Sequence, residues 1–456
     1  MFIRSGIYHS EMQAGGLKYP SSRLGVIPMQ DLEYLSGFNN EHQTEAAAGA
    51  LPIGQFSPQK HELGLYTEQI STTAFTAPRH SNRRTWCYRI QPSVCQSGFS
   101  LWPEHNIESA PLTGICPHQP LRWSPQPAAA QQQDFVDSLH TIAANGDVRS
   151  HTGTAIHLYQ SNVPMHRRYF YSADGELLFV PLEGKMLIWT ELGKLLIEPG
   201  EIAVIPRGIK FKADPIGDLA SGYLCENYGA PLVLPERGPV GANGFANQRD
   251  FRYPVAAFED IFEPTELIAK FSGELYRAEM DHSPLNVVGW IGNSAPYKYD
   301  LSLFNVMNTV SFDHPDPSIF TVLTSPSELP GIANLDFVIF PPRWSVAEHT
   351  FRPPWFHRNV MSEFMGLVKG QYDAKKAGFE PGGMSLHNSM TPHGPEREVF
   401  EHGSSRELEP EKVENTLAFM LESRFAFVPT QTAMTSPYRQ PDYAQCWAGL
   451  APKFRR

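Results

Sequence analysis

The segment from Phe351 to Pro395 limits the possible folds most strongly, because it carries three residues that could share one metal ion only if the chain brings them together. His357, Glu363 and His393 offer two imidazoles and one carboxylate. This is the ligand set of a mononuclear non-heme iron(II) site, which leaves open positions for a substrate and dioxygen. Spacing alone leaves a second interpretation open, since histidine and glutamate six residues apart also occur by coincidence.

Chain geometry decides how these residues can meet. A straight strand would separate His357 from Glu363 by about 20 Å. A helix would set them about 9 Å apart on different faces. Ligands of one metal converge to bonds of about 2.0–2.2 Å. The chain is therefore expected to reverse around Arg358–Asn359, as a strand–turn–strand at the mouth of a β-barrel. His393 would come from a later strand, beyond the glycines of Pro381–Gly383.

The composition favours a mainly β protein with few helices. The chain has 40 prolines, 35 glycines and 12% aromatic residues, a pattern typical of strands joined by turns. Residues 176–212 read as successive short strands, with turns at Glu183–Gly184 and Pro199–Gly200. The best helix candidate is 410–421, where acidic residues precede apolar ones.

The net charge and the cysteine content indicate which partners and which cellular compartment are expected. The net charge of −11 gives nucleic acid or an anionic membrane no attraction. No apolar run approaches the roughly 18 residues of a membrane span, and the first 30 residues lack a signal-peptide core. We expect these 30 residues to be a flexible N-terminal extension or the product of an upstream start codon. Five cysteines without a Cys-x-x-Cys pair indicate a reduced, cytoplasmic protein.

The spacing of His357, Asn359, Glu363 and Gly370 resembles the first motif of the cupin family. Asn359 stands where that motif usually has a second histidine, so one usual ligand is missing. His393, in a Thr-Pro-His-Gly context, takes the part of the histidine of the second motif. The resemblance implies a two-part, cupin-like β-sandwich or jelly roll.

An earlier segment resembles a decayed second cupin motif. Gly200, Pro206 and Gly208 fit its spacing, but Phe211 stands at the position of the metal histidine. We therefore expect an N-terminal cupin-like β-sandwich without metal over 31–300, and a C-terminal iron-binding catalytic domain over 301–456, after an extension over 1–30. An ordinary β-sandwich with turn glycines predicts the same absence of chemistry in the N-terminal half.

Longer runs resemble the homogentisate 1,2-dioxygenase family. They are residues 34–42, 238–251, 308–324 and 337–395, and the resemblance extends over about 31–450. It implies an iron(II)-dependent, extradiol-type enzyme that converts homogentisate and dioxygen to maleylacetoacetate in tyrosine and phenylalanine catabolism. It also implies a homo-oligomer of trimers that pair into hexamers.

The resemblance also gives roles to single residues. His357, Glu363 and His393 would hold Fe(II), and His314 would be the catalytic acid/base, which an imidazole pKa of about 6.5 suits. Substrate-binding residues would be Tyr372, His387, Arg352 and His393, where Arg352 offers a bidentate carboxylate anchor.

Each of these roles has a simpler alternative. His314 can be a loop residue held by Asp313 or Asp316, and Tyr372 a core aromatic. His387 can support the ligands without touching substrate. Arg352 can form a structural ion pair. Nothing in the sequence places His349 or His402 near the site.

Two other functions remain open at this point. A related iron cupin that cleaves gentisate would share the metal, so only substrate turnover separates it. A non-catalytic bicupin that binds a ligand is disfavoured, because such proteins tend to lose metal ligands and this set is intact.

Overall fold

Antiparallel β-sheet dominates the chain, as expected from its composition. The structure is a computed structural model that describes residues 32–238, 244–307, 317–375 and 378–455. Within these ranges 26 strands and three α-helices are found, so the prediction of a mainly β fold with few helices is confirmed. The extension predicted over 1–30 lies outside the described residues.

The elements follow each other along the chain in a nearly unbroken series of strands. The strands are β1 (Tyr34–Ser36), β2 (His42–Glu45), β3 (Tyr66–Ser71), β4 (Arg84–Arg89), β5 (Ser100–Leu101), β6 (Leu121–Trp123), β7 (His140–Asp147), β8 (Thr152–Ser161), β9 (Arg168–Ser172), β10 (Glu176–Thr190), β11 (Gly193–Ile197), β12 (Glu201–Ile205), β13 (Phe211–Asn227), β14 (Arg252–Pro254), β15 (Thr265–Phe271), β16 (Glu274–Met280), β17 (Val287–Gly292), β18 (Tyr297–Asp300), β19 (Thr321–Pro326), β20 (Ala333–Phe340), β21 (Arg343–Ser345), β22 (Ser362–Lys369), β23 (Met384–His387), β24 (Glu411–Val413), β25 (Leu417–Ser423) and β26 (Val428–Pro429). The α-helices are α1 (Phe135–Ser138), α2 (Arg397–Ser405) and α3 (Gln431–Thr435).

Two sheets carry most of the structure. In the described residues the larger has 14 strands, with β10 and β13 at its centre. The smaller has six, in the order β19-β20-β25-β22-β23-β6, and it holds the proposed metal ligand Glu363. A four-stranded sheet (β2-β17-β4-β3) and a two-stranded one (β21-β24) complete the described part.

Two strand pairs join the early and late parts of the chain. Strand β6 is the edge strand of the six-stranded sheet, where Trp123 pairs with Met384 of β23. Strand β26, from the late part of the chain, pairs antiparallel with β7, an early strand of the larger sheet. The domain boundary near residue 300 stays a prediction, and these pairs cross it.

Residues 176–212 form strands as predicted. Strand β10 is followed by β11 and β12, with a turn at Pro199–Gly200. The turn expected at Glu183–Gly184 is instead an irregularity within β10, where its pairing with β13 shifts register. Gly184 has a φ of 72°, and a Cβ there would lie 1.9 Å from the carbonyl oxygen of Leu219. Only glycine fits this position.

The helix predicted over 410–421 is wrong. Residues Glu411–Val413 form β24 and Leu417–Ser423 form β25. Because β25 lies between β20 and β22, residues 417–421 are all buried. A short apolar run buried on both faces does not reveal its period, so helix and central strand look alike in the sequence.

Phe211, at the position of the lost histidine, lies in the core of the N-terminal part. Its ring packs against Phe135, Phe170 and Phe179, with ring centroids 5.7–6.2 Å apart. Elsewhere, the five cysteines are all free. No helix of the described residues is long and apolar enough to cross a membrane.

Candidate metal centre

Cross-strand pairing brings the three predicted ligands together. His357 and His393 form an antiparallel bridge in which each backbone N–H donates to the carbonyl of the other, at 2.9 and 3.2 Å. Glu363 of β22 lies opposite His387 of β23. Both chain segments advance six residues between these two pairs, so the register is the same on either side.

Between these two pairs the β-ladder is interrupted, but neither chain segment reverses its direction. One segment bends at Val360–Met361, and the other turns at Ser389–Met390. Met390 adopts a left-handed φ of 60° and donates its N–H to the carbonyl of Asn359 at 2.7 Å. The reversal expected at Arg358–Asn359 is therefore wrong. A matched distortion of both segments shortens the path that a straight strand would make too long.

The side chains of His357, Glu363 and His393 converge on one point. One ligand atom from each lies within 4.8 Å of the others. Nε2 of His393 is 2.9 Å from Oε2 of Glu363, and Nε2 of His357 is 3.5 Å from Oε1. Among the described residues this is the only group of three or more such side chains close enough to share a metal ion.

The two imidazoles are oriented as metal binding through Nε2 requires. Nδ1 of His357 lies 2.9 Å from the carbonyl oxygen of Trp355, and Nδ1 of His393 lies 2.9 Å from that of Thr391. A carbonyl only accepts, so each Nδ1 carries a hydrogen, and Nε2 is the ring nitrogen that faces Glu363 and would bind a metal after losing any hydrogen of its own. This is the usual outer support of a histidine ligand, and the donor set fits a non-heme iron.

The charges of the site match these contacts. Burial alone would raise the pKa of Glu363, but hydrogen bonds to His357 and His393 outweigh it and hold that pKa well below the usual range. Burial would lower the pKa of His357, but hydrogen bonds to Glu363 and to the Trp355 carbonyl raise it. Glu363 is thus ionised at neutral pH, as a carboxylate that is to bind a divalent cation must be.

Asn359, which replaces the usual fourth ligand, positions the carboxylate. Its Nδ2 donates to Oε1 of Glu363 at 3.1 Å and to Oε1 of Glu422 at 2.6 Å. Its Oδ1 accepts from the N–H of Met361 at 3.1 Å. Burial, followed by the charge of Glu363, raises the pKa of Glu422 to about 7. Asn359 therefore links the bend to the ligand.

A cavity of about 1000 Å³ opens on the three ligands. Tyr372 lines it, buried and packed against Phe340 with ring centroids 5.2 Å apart. Burial raises the pKa of Tyr372 well above its usual value, so its hydroxyl is protonated. That hydroxyl makes no hydrogen bond to any described residue, and it is available to a ligand.

Arg352 also lines the cavity, but backbone carbonyls occupy its guanidinium. It donates to Ser345 at 2.9 Å, to Ala347 at 3.3 Å and to Glu409 at 2.5 Å. These bonds tie the chain before β22 to the loop before β24. Its role as a carboxylate anchor stays a prediction.

His387 belongs to the site through its ring. Its imidazole is buried and stacks on that of His393, with centroids 4.1 Å apart and planes within 7°. Burial, and then the charge of His393, lower the pKa of His387 well below its usual value. Its Nε2 lies 3.2 Å from the hydroxyl of Tyr443. That hydroxyl accepts a hydrogen bond from Lys375 at 2.5 Å.

The sequence gives no signal for Lys375 and Tyr443. Tyr443 comes 50 residues after His393 along the chain, and no motif marks it. His314 lies outside the described residues, so its role stays a prediction. His402 lines the same cavity, unlike the expectation for it, whereas His349 is exposed and does not.

Solved structures of other proteins resemble parts of this fold weakly. The E. coli protein Ylba matches at 8% identity and a TM-score of 0.33, over 69% of this chain and 95% of its own. A Leptotrichia buccalis cupin 2 conserved barrel domain protein matches at 10% identity and a TM-score of 0.26, over 64% and 90%. A deletion mutant of Bacillus subtilis oxalate decarboxylase matches at 10% and 0.26, over 67% and 80%. Likenesses this weak say nothing further about this chain.

Two family models account for nearly the whole sequence. The model described as homogentisate 1,2-dioxygenase N-terminal matches residues 33–301, and the corresponding C-terminal model matches residues 302–454. The chain therefore belongs to the homogentisate 1,2-dioxygenase family and is a dioxygenase.

Proposed function

We propose that this protein is an iron(II)-dependent, extradiol-type dioxygenase that opens the ring of homogentisate. The observation that carries the proposal is the convergence of Glu363 with two imidazoles whose Nδ1–H groups are fixed by backbone carbonyls. His357, Glu363 and His393 would hold iron(II), which when bound would activate dioxygen and polarise the substrate. The remaining roles belong to the protein.

The cavity wall suits an aromatic ring. Met365, Met420 and Phe340 line it beside Tyr372, and the first two are almost fully buried. These side chains exclude water and restrict the ring to a plane, as in most small-molecule sites. The Tyr372 hydroxyl would hold a polar group of the substrate, either its acetate arm or an oxygen of the opening ring.

Proton handling falls to histidine. His314 would take a proton from a ring hydroxyl, which raises electron density on the ring, and would return it later. Ring opening next to the acetate-bearing carbon gives maleylacetoacetate. Both oxygen atoms of dioxygen enter this product, so the reaction needs no external reductant. The step would serve tyrosine and phenylalanine catabolism, in a cytoplasmic homo-oligomer built from trimers.

Oxygen consumption with two substrates tests the proposal. The full-length protein is stripped of metal, reconstituted anaerobically with iron(II), and given homogentisate or gentisate in parallel. We expect oxygen uptake equal to the homogentisate consumed, formation of maleylacetoacetate, and little uptake with gentisate.

The controls separate the candidate functions. Protein reconstituted with zinc(II) should bind ligand but consume no oxygen, because zinc has no redox chemistry. Preferential turnover of gentisate would replace the substrate but keep the site. Stoichiometric iron without turnover of either compound would favour the non-catalytic bicupin.

A further inference from the structure

His387 is oriented opposite to the two proposed ligand histidines. His357 and His393 direct Nε2 to the metal position and Nδ1 to backbone carbonyls. His387 instead directs Nε2 away, to the Tyr443 hydroxyl, and its Nδ1 lies 4.0 Å from Oε2 of Glu363. That Nδ1 is buried and has no hydrogen-bond partner among the described residues.

The Tyr443 hydroxyl lies between the Lys375 ammonium, which can only donate a hydrogen bond, and Nε2 of His387, which can donate or accept one. The ammonium of Lys375 has three hydrogens and no lone pair, so Tyr443 must accept from it at 2.5 Å. The phenol hydrogen then remains for Nε2 of His387, which is the other described hydrogen-bond partner of the hydroxyl. Nε2 therefore carries the lone pair, and the hydrogen of the neutral ring is on Nδ1.

Glu363 favours the same arrangement independently. A bare Nδ1 would direct its lone pair toward the ionised carboxylate, whereas an Nδ1–H directs a positive dipole toward it. One tautomer of His387 therefore suits both sides of the ring. Its bare Nε2 accepts from Tyr443, and its Nδ1–H faces Glu363.

Packing holds this arrangement in place. Lys375 is 4% exposed, and its ammonium is directed to the Tyr443 hydroxyl. Arg122, paired with Glu396 at 2.9 Å, lies over the Tyr443 ring at 4.3 Å from its centroid. Trp447 packs against the same ring at 5.3 Å. The phenol has little freedom to rotate away from His387.

We infer that Lys375 and Tyr443 are positioning residues that fix His387 as the Nδ1–H tautomer, so that His387 donates a hydrogen bond to the substrate and does not bind the metal. The tautomer follows from this chain alone; only the identity of the ligand rests on the proposed function. A neutral donor beside the metal would select a substrate oxygen that gains negative charge on binding or during reaction.

Ring-nitrogen spectroscopy tests the tautomer without turnover. The full-length chain is labelled with ¹⁵N-histidine and loaded with diamagnetic zinc(II), and long-range ¹H–¹⁵N correlations distinguish protonated from bare ring nitrogens. His387 is assigned by the signals lost in His387→Asn. We expect a protonated Nδ1 and a bare Nε2. A protonated Nε2 in the wild-type protein would overturn the inference.

Two variants test whether the pair sets that tautomer. Tyr443→Phe removes the hydroxyl and keeps the ring, and Lys375→Met removes the ammonium and leaves the phenol free to accept from Nε2–H. Both should move His387 toward a mixture of tautomers. Tyr438→Phe is the matched control, because Tyr438 is half-buried and its hydroxyl has no hydrogen bond to a described residue. An unchanged Nδ1–H signal in both folded variants would show that the pair does not position His387.

A binding cycle tests the donor role. Tyr443→Phe should weaken anaerobic homogentisate binding to the iron(II) protein by up to about tenfold, the usual worth of one hydrogen bond. In a His387→Asn background the same change should have an effect within about twofold, because the two residues act as one unit. Equal effects in both backgrounds would contradict the inference. If gentisate proves to be the substrate, the cycle is run with gentisate and the spectroscopic result stands.

Discussion

At the scale of single residues, the hydrogen bonds of each imidazole distinguish the two proposed metal-binding histidines from their neighbour His387. Three imidazoles surround Glu363, but two have Nδ1 fixed by carbonyls and one has Nε2 fixed by a phenol. Only the first arrangement presents Nε2 to a metal. The sequence identifies all three histidines but not their orientation, because spacing does not show which backbone carbonyl a ring nitrogen meets, and Tyr443 comes from a position that no motif marks.

The ligand set can be tested one residue at a time. His357→Ala, Glu363→Ala and His393→Ala should each abolish tight iron binding, because two protein ligands remain where three are needed. Metal analysis after gel filtration measures this. His402→Ala is the matched control, since His402 lines the same cavity outside the ligand set. Near-stoichiometric iron in a ligand variant would remove that residue from the set.

His314 is the residue for which the two interpretations differ most. As the acid/base, His314→Asn should keep the fold, the iron and homogentisate binding, while turnover falls by about 10²–10⁴. The acidic limb of the pH profile should also disappear if His314 sets it. Oxygen uptake across pH, together with a thermal melt, makes the test. Activity within about threefold of wild type would show a loop residue instead.

At the scale of elements, two glycines mark the same feature in both halves. Gly370 ends β22 with a φ of 71°, and a Cβ there would lie 1.8 Å from the carbonyl oxygen of Asn415. Gly184 in β10 has a φ of 72° and a similar contact, 1.9 Å from Leu219. This likeness agrees with the two-part, cupin-like organisation expected from the motifs, and it does not depend on the metal ligands.

Gly370 offers a test of how the β22–β25 pairing is held. Gly370→Ala should lower the free energy of unfolding by more than about 2 kcal/mol, because a left-handed φ and a backbone clash both oppose Cβ. Gly331→Ala is the control, with a φ of 78° and nothing within 4 Å, and should cost only the conformational term of about 1 kcal/mol. Denaturant unfolding of both variants gives the comparison, and equal losses would exclude the clash.

Strands were predicted correctly where turn residues separate them in the sequence. Turns such as Pro199–Gly200 separate the strands of residues 176–212, so their existence was predictable. Prediction failed at β25, where pairing on both edges outweighs the local pattern. It also failed at Arg358–Asn359, because the matched bend depends on the opposite segment at Ser389–Met390. Information that lies in the partner strand is absent from a local window.

At the scale of the whole molecule, a buried acid gives stability a specific pH dependence. Burial raises the pKa of Glu176 from its usual 4.5 to about 7, although Leu232 N–H donates to it at 2.8 Å. Between these values the folded state binds more protons than the unfolded state, so stability is full below the lower value and falls as pH rises through the higher.

Removing this acid should flatten the profile. Glu176→Gln should lose less stability than wild type between pH 5 and 8, by a few kcal/mol at about 1.4 kcal/mol per pKa unit. Denaturant midpoints at both pH values, at equal metal content, measure this. Glu422, with its pKa also raised to about 7, contributes to both proteins and cancels. Parallel profiles would show that Glu176 stays charged when folded.

The whole chain should hold one iron. The N-terminal position that matches a metal histidine carries Phe211, buried among aromatic rings, which cannot coordinate. Metal analysis of the full-length protein should give a ratio near one per chain, and His393→Ala should bring it close to zero. A second iron that persists in this variant would contradict the reading of a decayed N-terminal site.

The pairing of strand β6 with β23 also determines when this part of the sheet can form during translation. Strand β23 is translated about 260 residues after β6, which at roughly 5–20 residues per second is a delay on the order of tens of seconds. During that time an apolar edge that includes Leu121 and Trp123, both buried in the finished protein, has no sheet to join. The nascent chain therefore passes through a stage in which this apolar edge lacks its partner strand, and the candidate metal site can form only after residue 393 has been synthesised.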